Sequence, residues 1–337
     1  MHLGTIIVEC NPKEVPYSEL ILLACVGCSN MFNNYHCPPY VPPASLFFKK
    51  VLQEAEYCYV VASYYDLASY IVKLCDKCRS IIQALTLASK IVDSRSYWVH
   101  NSIIKNVITL AGNKTVAVLG SGGGCRICPT KLRKPCGAVT GEPCRFPKSN
   151  LAFPSPESHG IFVYKLAKML DIPIEIPPRA FVTRIGIIFT KTKLMYQVKQ
   201  GLNLPTLPTT VMKKLEELAE NDKHLIKRIR RESIHLDPTS LQLKSECQKC
   251  KHYHFCIQLL RYVKKLTLHM VNVCLYVAEY GDPATLSRAL VRTGVCYATI
   301  PISSTLVLSK KKEKVYPKTI CGKLLGLNLR AGVLALY

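Results

Sequence analysis

The sequence predicts an α/β chain of the α+β kind. It has an N-terminal mixed sheet with helices carrying Cys-rich loops, then a smaller C-terminal α+β module. Three observations predict it. In residues 1–190, short β-branched runs alternate with longer stretches of helical apolar spacing. Clusters of Cys, Pro, Asn and Gly fall between those runs, where loops belong. From Pro205 the texture changes to a charged amphipathic pattern and then to short apolar runs.

Each element follows from its own residues. Residues 3–9 (LGTIIVE) form a strand pattern, and a loop rich in Cys, Pro and Asn runs from Cys25 to Pro43. Ala44 to Tyr57 has helical spacing, and Tyr59 to Ser63 reads as a strand. Asp66 to Val92 predicts a long helix, with Leu67, Ile71, Leu74, Cys75, Cys78 and Ile82 along one side; Ser96 to Leu110 predicts another. Thr115 to Leu119 is a strand leading into the run Gly120-Ser-Gly-Gly-Gly-Cys125. Ser155 to Leu170 reads as a helix, and Phe181 to Thr190 as the strand that closes this region.

Beyond it, Thr210 to Ser233 has the pattern of a charged helix that Asp237-Pro238 stops. Strand-like runs follow at His269 to Val277, Val295 to Ile300, Thr305 to Ser309 and Ala331 to Tyr337. The expected domains are 1–190, a metal-binding domain; 191–238, a basic helical linker; and 239–337, a Cys-rich basic module.

Composition narrows the function classes. Apolar residues are 49% of the 337, which excludes disorder for most of the chain. No window offers 18 consecutive apolar residues and the N-terminus lacks a secretory pattern, so a cytoplasmic protein with reduced thiols is expected. The formal charge is +23, distributed as +8 over residues 1–190 and +15 over residues 191–337. The densest basic runs contain Lys223, Lys227, Arg228, Arg230 and Arg231, and then Lys310, Lys311 and Lys312. Those side chains are the candidates for contact with RNA or another polyanion. No recognised nucleic-acid-binding signature accompanies them.

Seventeen cysteines carry the main chemical signal. Three groups open with C-x2-C: Cys25, Cys28 and Cys37; Cys125, Cys128, Cys136 and Cys144; and Cys247, Cys250 and Cys256. That spacing lets one turn of backbone aim two sulfurs at one metal. In a reducing compartment such clusters read as metal ligands rather than disulfides. The unequal gaps, and the proline after Cys37, favour [4Fe–4S] clusters, two or three in number, over zinc. His252 and His254 keep zinc open. Cys274 is assigned with the third group. Cys10, Cys75, Cys78 and Cys321 are further candidates for a fourth ligand, and Cys58 and Cys296 read as buried small hydrophobes.

The stretch Cys25 to Tyr40 (CVGCSNMFNNYHCPPY) resembles the opening motif of the archaeal and bacterial predicted metal-binding protein family, a domain of unknown function. Gly124-Cys-Arg-Ile-Cys128, Pro143-Cys-Arg-Phe-Pro147, Pro154-Ser155 and Glu157-Ser-His-Gly160-Ile161 resemble its second motif. The resemblance covers about residues 1–190 and implies metal binding. Cys136 departs from it, standing after seven intervening residues where that family's third cysteine follows closely.

Two functions remain open on this reading. One is a multi-cluster iron–sulfur protein in electron transfer, alone or within a larger assembly with a protein redox partner. The other is a nucleic-acid-binding protein with structural metals and a basic C-terminal half. Whether the chain is an enzyme, and which residues would be catalytic, the sequence leaves unassigned. The glycine run lacks both nucleotide-loop patterns, and neither G-x-S-x-G nor H-E-x-x-H occurs.

Overall fold

A computed structural model describes residues 1–25, 30–77, 81–121, 125–128, 136–146, 152–175, 178–194, 202–217, 248–268, 273–277, 298–302 and 332–336. The chain divides into two compact units. The first comprises Met1–Ile21 and Phe32–Glu216; the second comprises Leu22–Met31 and Glu217–Tyr337.

The first unit is built on four strands: β1 (His2–Cys10), β2 (Tyr57–Asp66), β3 (Thr115–Leu119) and β4 (Phe181–Thr190). Their order across the sheet is β1-β2-β4-β3. All three pairings are antiparallel, where a mixed sheet was expected. The reason is topological. β2 and β3 run in the same direction, but β4 inserts between them, so the parallel neighbours of a simple crossover never meet. The α+β class holds.

Among the helices packed with this sheet are α1 (Ala44–Glu54), α2 (Ala68–Leu74), α3 (Ile81–Ala111) and α4 (Val163–Met169). The period-2 alternation of β2 sorts its side chains between two faces. Cys58, Val60, Ala62 and Tyr64 pack with Phe48 and Val51 of α1 and Leu166 of α4. Tyr59 and Val61 pack with Ile104, Val107 and Ala111 of α3. Ala44, Phe48 and Val51 follow helical spacing, which is why α1 lays one stripe on the sheet. Phe48 is fully buried, and burial of such a ring contributes about 1.5–3 kcal/mol.

Two helix boundaries differ from expectation. The predicted helix over Asp66–Val92 is two helices, with a turn following Leu74; α3 then continues through residues 93–95 to Ala111. The polar Asp93-Ser-Arg stretch suggested a break, but its carboxylate is taken up by ion pairs with Arg126 and Arg184, so the helix runs on. The predicted helix over Ser155–Leu170 is a 3-10 turn at Glu157–His159 followed by α4. Gly160 separates them at φ +74°, and a Cβ there would lie 2.6 Å from the Ala44 methyl and 2.7 Å from the Ser18 carbonyl oxygen.

In the second unit, α5 (Tyr253–Leu268) accompanies a three-stranded sheet of β5 (Val273–Val277), β6 (Ala298–Ile302) and β7 (Gly332–Leu336). β7 is central and both pairings are antiparallel. The strand expected over Thr305–Ser309 lies outside the described residues, as does most of the basic helix expected over Thr210–Ser233, of which 209–217 is helical.

Candidate metal centre

The second cysteine group sits on the connection between β3 and β4. Its four thiols range from buried to exposed: Cys128 is buried, Cys125 and Cys136 are half-buried, and Cys144 is exposed. They lie within electrostatic range of one another. Burial raises the Cys125 thiol, and thiolates at Cys128, Cys136 and Cys144 raise it further, against a lowering hydrogen bond from Ile127. Burial likewise raises Cys128, as do Cys136 and Cys144, while the Arg145 guanidinium lowers it. Deprotonating this set without a cation is therefore unfavourable, and a metal bound there would supply the compensating charge. Among the described residues no three Cys, His, Asp or Glu donors converge to the spacing of a single-ion site.

Asn34 fixes this segment. Its Nδ2 donates to the Cys125 carbonyl at 2.6 Å, and the Cys125 N–H donates back to its Oδ1 at 3.3 Å. The same Oδ1 accepts the His36 N–H at 3.0 Å, an Asx turn that shapes the Phe32–Tyr40 loop. Asn34 is itself buried. A second tie comes from the Tyr40 hydroxyl, which donates to Phe32 O at 3.3 Å and Val139 O at 3.4 Å. Burial raises the Tyr40 hydroxyl, and charge on Cys136 adds to it.

On the α3 side, Tyr97 is fully buried and its hydroxyl is pushed up to about 12, first by burial and then by charge on Cys125. The Arg126 guanidinium lies 4.6 Å from the Tyr97 ring centroid and pairs with Asp93 at 2.7 Å. Arg145 pairs with Glu142 at 2.6 Å. Two guanidinium groups thus border the thiols. The glycine run begins with a packing requirement: a Cβ on Gly120 would stand 2.7 Å from Phe153 Cβ and 2.9 Å from Asn101 Oδ1. Glycines 122–124, expected to present N–H groups to a cluster, lie outside the described residues.

The profile of the predicted metal-binding protein family (DUF2284) matches residues 9–190. The chain belongs to that family. No curated protein and no solved structure matches it. The match of this predicted metal-binding protein spans the Cys37 loop, the Cys125–Cys144 group and the whole of α1 to β4.

The other expected ligands fall as follows. The first triplet is divided between the units: Cys37, buried, belongs to the first, and Cys25, half-buried at the end of the 3-10 helix Glu19–Cys25, to the second. The second unit also holds Cys250, half-buried before α5, and Cys256, buried on its first turn. Cys274 lies on β5 opposite Ala335. Cys75 is buried among Ile71, Ala88 and Val92, with its thiol donating to Val72 O at 3.4 Å. Cys10 stands opposite Cys58 across β1 and β2. Cys28, Cys78, Cys247 and Cys321 lie outside the described residues, as do Lys223, Lys227, Arg228, Arg230, Arg231, Lys310, Lys311 and Lys312. His252 is half-buried and His254 exposed. Among the described residues no helix is long and apolar enough to cross a membrane.

Asn34, Tyr97 and Arg126 were not singled out from sequence. Asn34 had a readable signal, an Asx-turn residue three positions before a cysteine, and Arg126 had one in its place inside the Cys125–Cys128 element; Tyr97 had none, because α3 brings it to the site from afar.

Proposed function

We propose that this protein carries an iron–sulfur cluster of the [4Fe–4S] type on Cys125, Cys128, Cys136 and Cys144 and serves in one-electron transfer. The observation that carries this reading is that charge on Cys136 and Cys144 reaches both Cys125 and Cys128, which gathers the four cysteines of one C-x2-C group into one electrostatic neighbourhood. A cubane binds each cysteine through a different iron, and a C-x2-C opening followed by longer, unequal gaps suits that better than the two short-loop pairs of a zinc site. When bound, the cluster would supply a reversible one-electron couple.

The chain's own residues do the rest. Asn34 holds the Cys125 main chain in place, and Tyr40 ties the Cys37 loop to the segment after Cys136. Arg145 offsets negative charge at Cys128. Cys144 is exposed and gives a protein partner its nearest approach.

Anaerobic purification followed by iron and acid-labile sulfide assay tests the reading. About four irons and four sulfides per chain are expected for one cluster, and about eight of each if the cysteines of the second unit hold another. Stoichiometric zinc without labile sulfide overturns it, as does full iron retention when Cys125 and Cys128 are both changed to Ser.

A further inference from the structure

Two cysteines outside that centre form a site of their own. Cys10 ends β1 and Cys58 lies near the start of β2, and the register places them directly opposite each other. Both join the same side of the core, so their side chains share one face of the sheet. Directly opposed residues in an antiparallel pair have Cα atoms about 4.5 or 5.5 Å apart, and both separations fall within the span that a disulfide bridges. The two thiols already hydrogen-bond to each other. Cys58 is fully buried, whereas Cys10 is half-buried and lines an open groove of about 810 Å³. The groove wall carries Glu9, Glu14, Glu54 and Glu56 against one lysine, Lys13. Lys193 and Lys191 pair with Glu9 and Glu54, which leaves the wall negative by about one charge.

We infer that Cys10 and Cys58 form a thiol–disulfide exchange site for small disulfides that carry no negative charge. Cys10 attacks one sulfur of the reagent RS–SR, forming Cys10–S–SR and releasing one RS⁻, which takes up a proton. Cys58 then gives up its proton and attacks the Cys10 sulfur, forming the Cys10–Cys58 disulfide and expelling the second RS⁻. The protein loses two electrons and two protons, and the reagent leaves as two RSH molecules. The roles follow from position: Cys10 alone faces the groove, and Cys58 alone lies behind it. The hydrogen bond from Cys58 lowers the Cys10 thiol, against the opposing effects of burial, Glu14 and Glu9, which supports Cys10 as the attacking group.

The test uses the full-length, anaerobically purified protein with its metal in place, treated with cystamine and mapped by peptide mass spectrometry. The expected product joins the Cys10 and Cys58 peptides with loss of two hydrogens. Cys58→Ser stops at a mixed disulfide on Cys10, and Cys10→Ser leaves Cys58 unmodified. Normalised to free cysteine, cystamine outpaces glutathione disulfide by about threefold at low salt, and the gap closes as salt screens the groove. Cys10 and Cys58 both remaining thiols in the treated wild-type protein, or either one linking to a different cysteine, overturns the inference. Equal normalised rates for the two reagents overturn its charge selectivity. The wild-type map needs no variant to fold. It reads bonds that the iron and sulfide assay does not, so failure here is distinct from failure of the cluster assignment.

Discussion

Replacing Asn34 with Ala removes three hydrogen bonds at once: two to the Cys125 main chain and one from the His36 N–H. A typical net contribution is about 0.5–1.5 kcal/mol per bond. The loss therefore centres near 3 kcal/mol, before any cost of leaving the partly buried Cys125 carbonyl without its donor. In a domain of this size each kcal/mol moves the midpoint by roughly 2–4 °C, so differential scanning calorimetry should record a fall of about 9 °C. The same change frees the Cys125 segment, and release of iron from the proposed cluster to a chelator should accelerate by about tenfold or more, since ~1.4 kcal/mol is one decade. Asn34→Asp keeps the acceptor but sets a carboxylate against the Cys125 carbonyl and beside thiolates, so it should be at least as damaging. An Asn34→Ala protein with wild-type melting temperature and wild-type iron release would refute the claim that this side chain clamps the centre.

Two further outcomes follow from buried groups. Burial first, then Arg184 and His2, lowers His100 to about 3, and burial first, then His36, lowers His159 to about 4 against the Ser155 carbonyl. Unfolded histidine titrates near about 6.5, so between that pH and the folded values the unfolded chain binds more protons. Stability is then complete above about pH 7 and declines as pH falls through 6.5 toward 4, by several kcal/mol in total. Urea midpoints across that range should flatten in His100→Gln and His159→Gln; slopes parallel to wild type would contradict the neutral buried state. Gly160→Ala combines a left-handed backbone with contacts at 2.6 and 2.7 Å, and should lower stability by about 2–4 kcal/mol in chemical denaturation, with an unchanged midpoint telling against the close approach to Ser18 and Ala44.

The strands of the first unit were legible because their signal is local. Phe181–Thr190 is rich in Val, Ile, Phe and Thr over ten residues, and β4 occupies that span. Helix limits were less legible, because what ends or extends a helix here is tertiary. The expected gap at residues 93–95 is helical, with Asp93 paired to Arg126 and Arg184, and the helix expected over Ser155–Leu170 is divided at Gly160, which Ser18 and Ala44 crowd. The sheet order was not legible either, since no residue of β4 announces that it will insert between β2 and β3.

The site shows the same division. The grouping of Cys125, Cys128, Cys136 and Cys144 could be read from spacing, and in the structure charge on Cys136 and Cys144 reaches Cys125 and Cys128. Spacing also grouped Cys25 with Cys37, which the units divide, because adjacency in a loop does not bind both of its ends to one core. Cys10 was weighed as a metal ligand and Cys58 as packing; only strand register reveals them as partners.

The central position of β4 also bears on biosynthesis. β4 is the last of the four strands to leave the ribosome, yet β3 has it as its neighbour in the sheet and β2 has only β1 until it arrives. Every thiol from Cys125 to Cys144 is thus translated ahead of the strand that completes the sheet. A nascent chain halted before Phe181 would present those sulfurs on an unfinished scaffold, so the proposed centre would be assembled only after synthesis has passed Thr190.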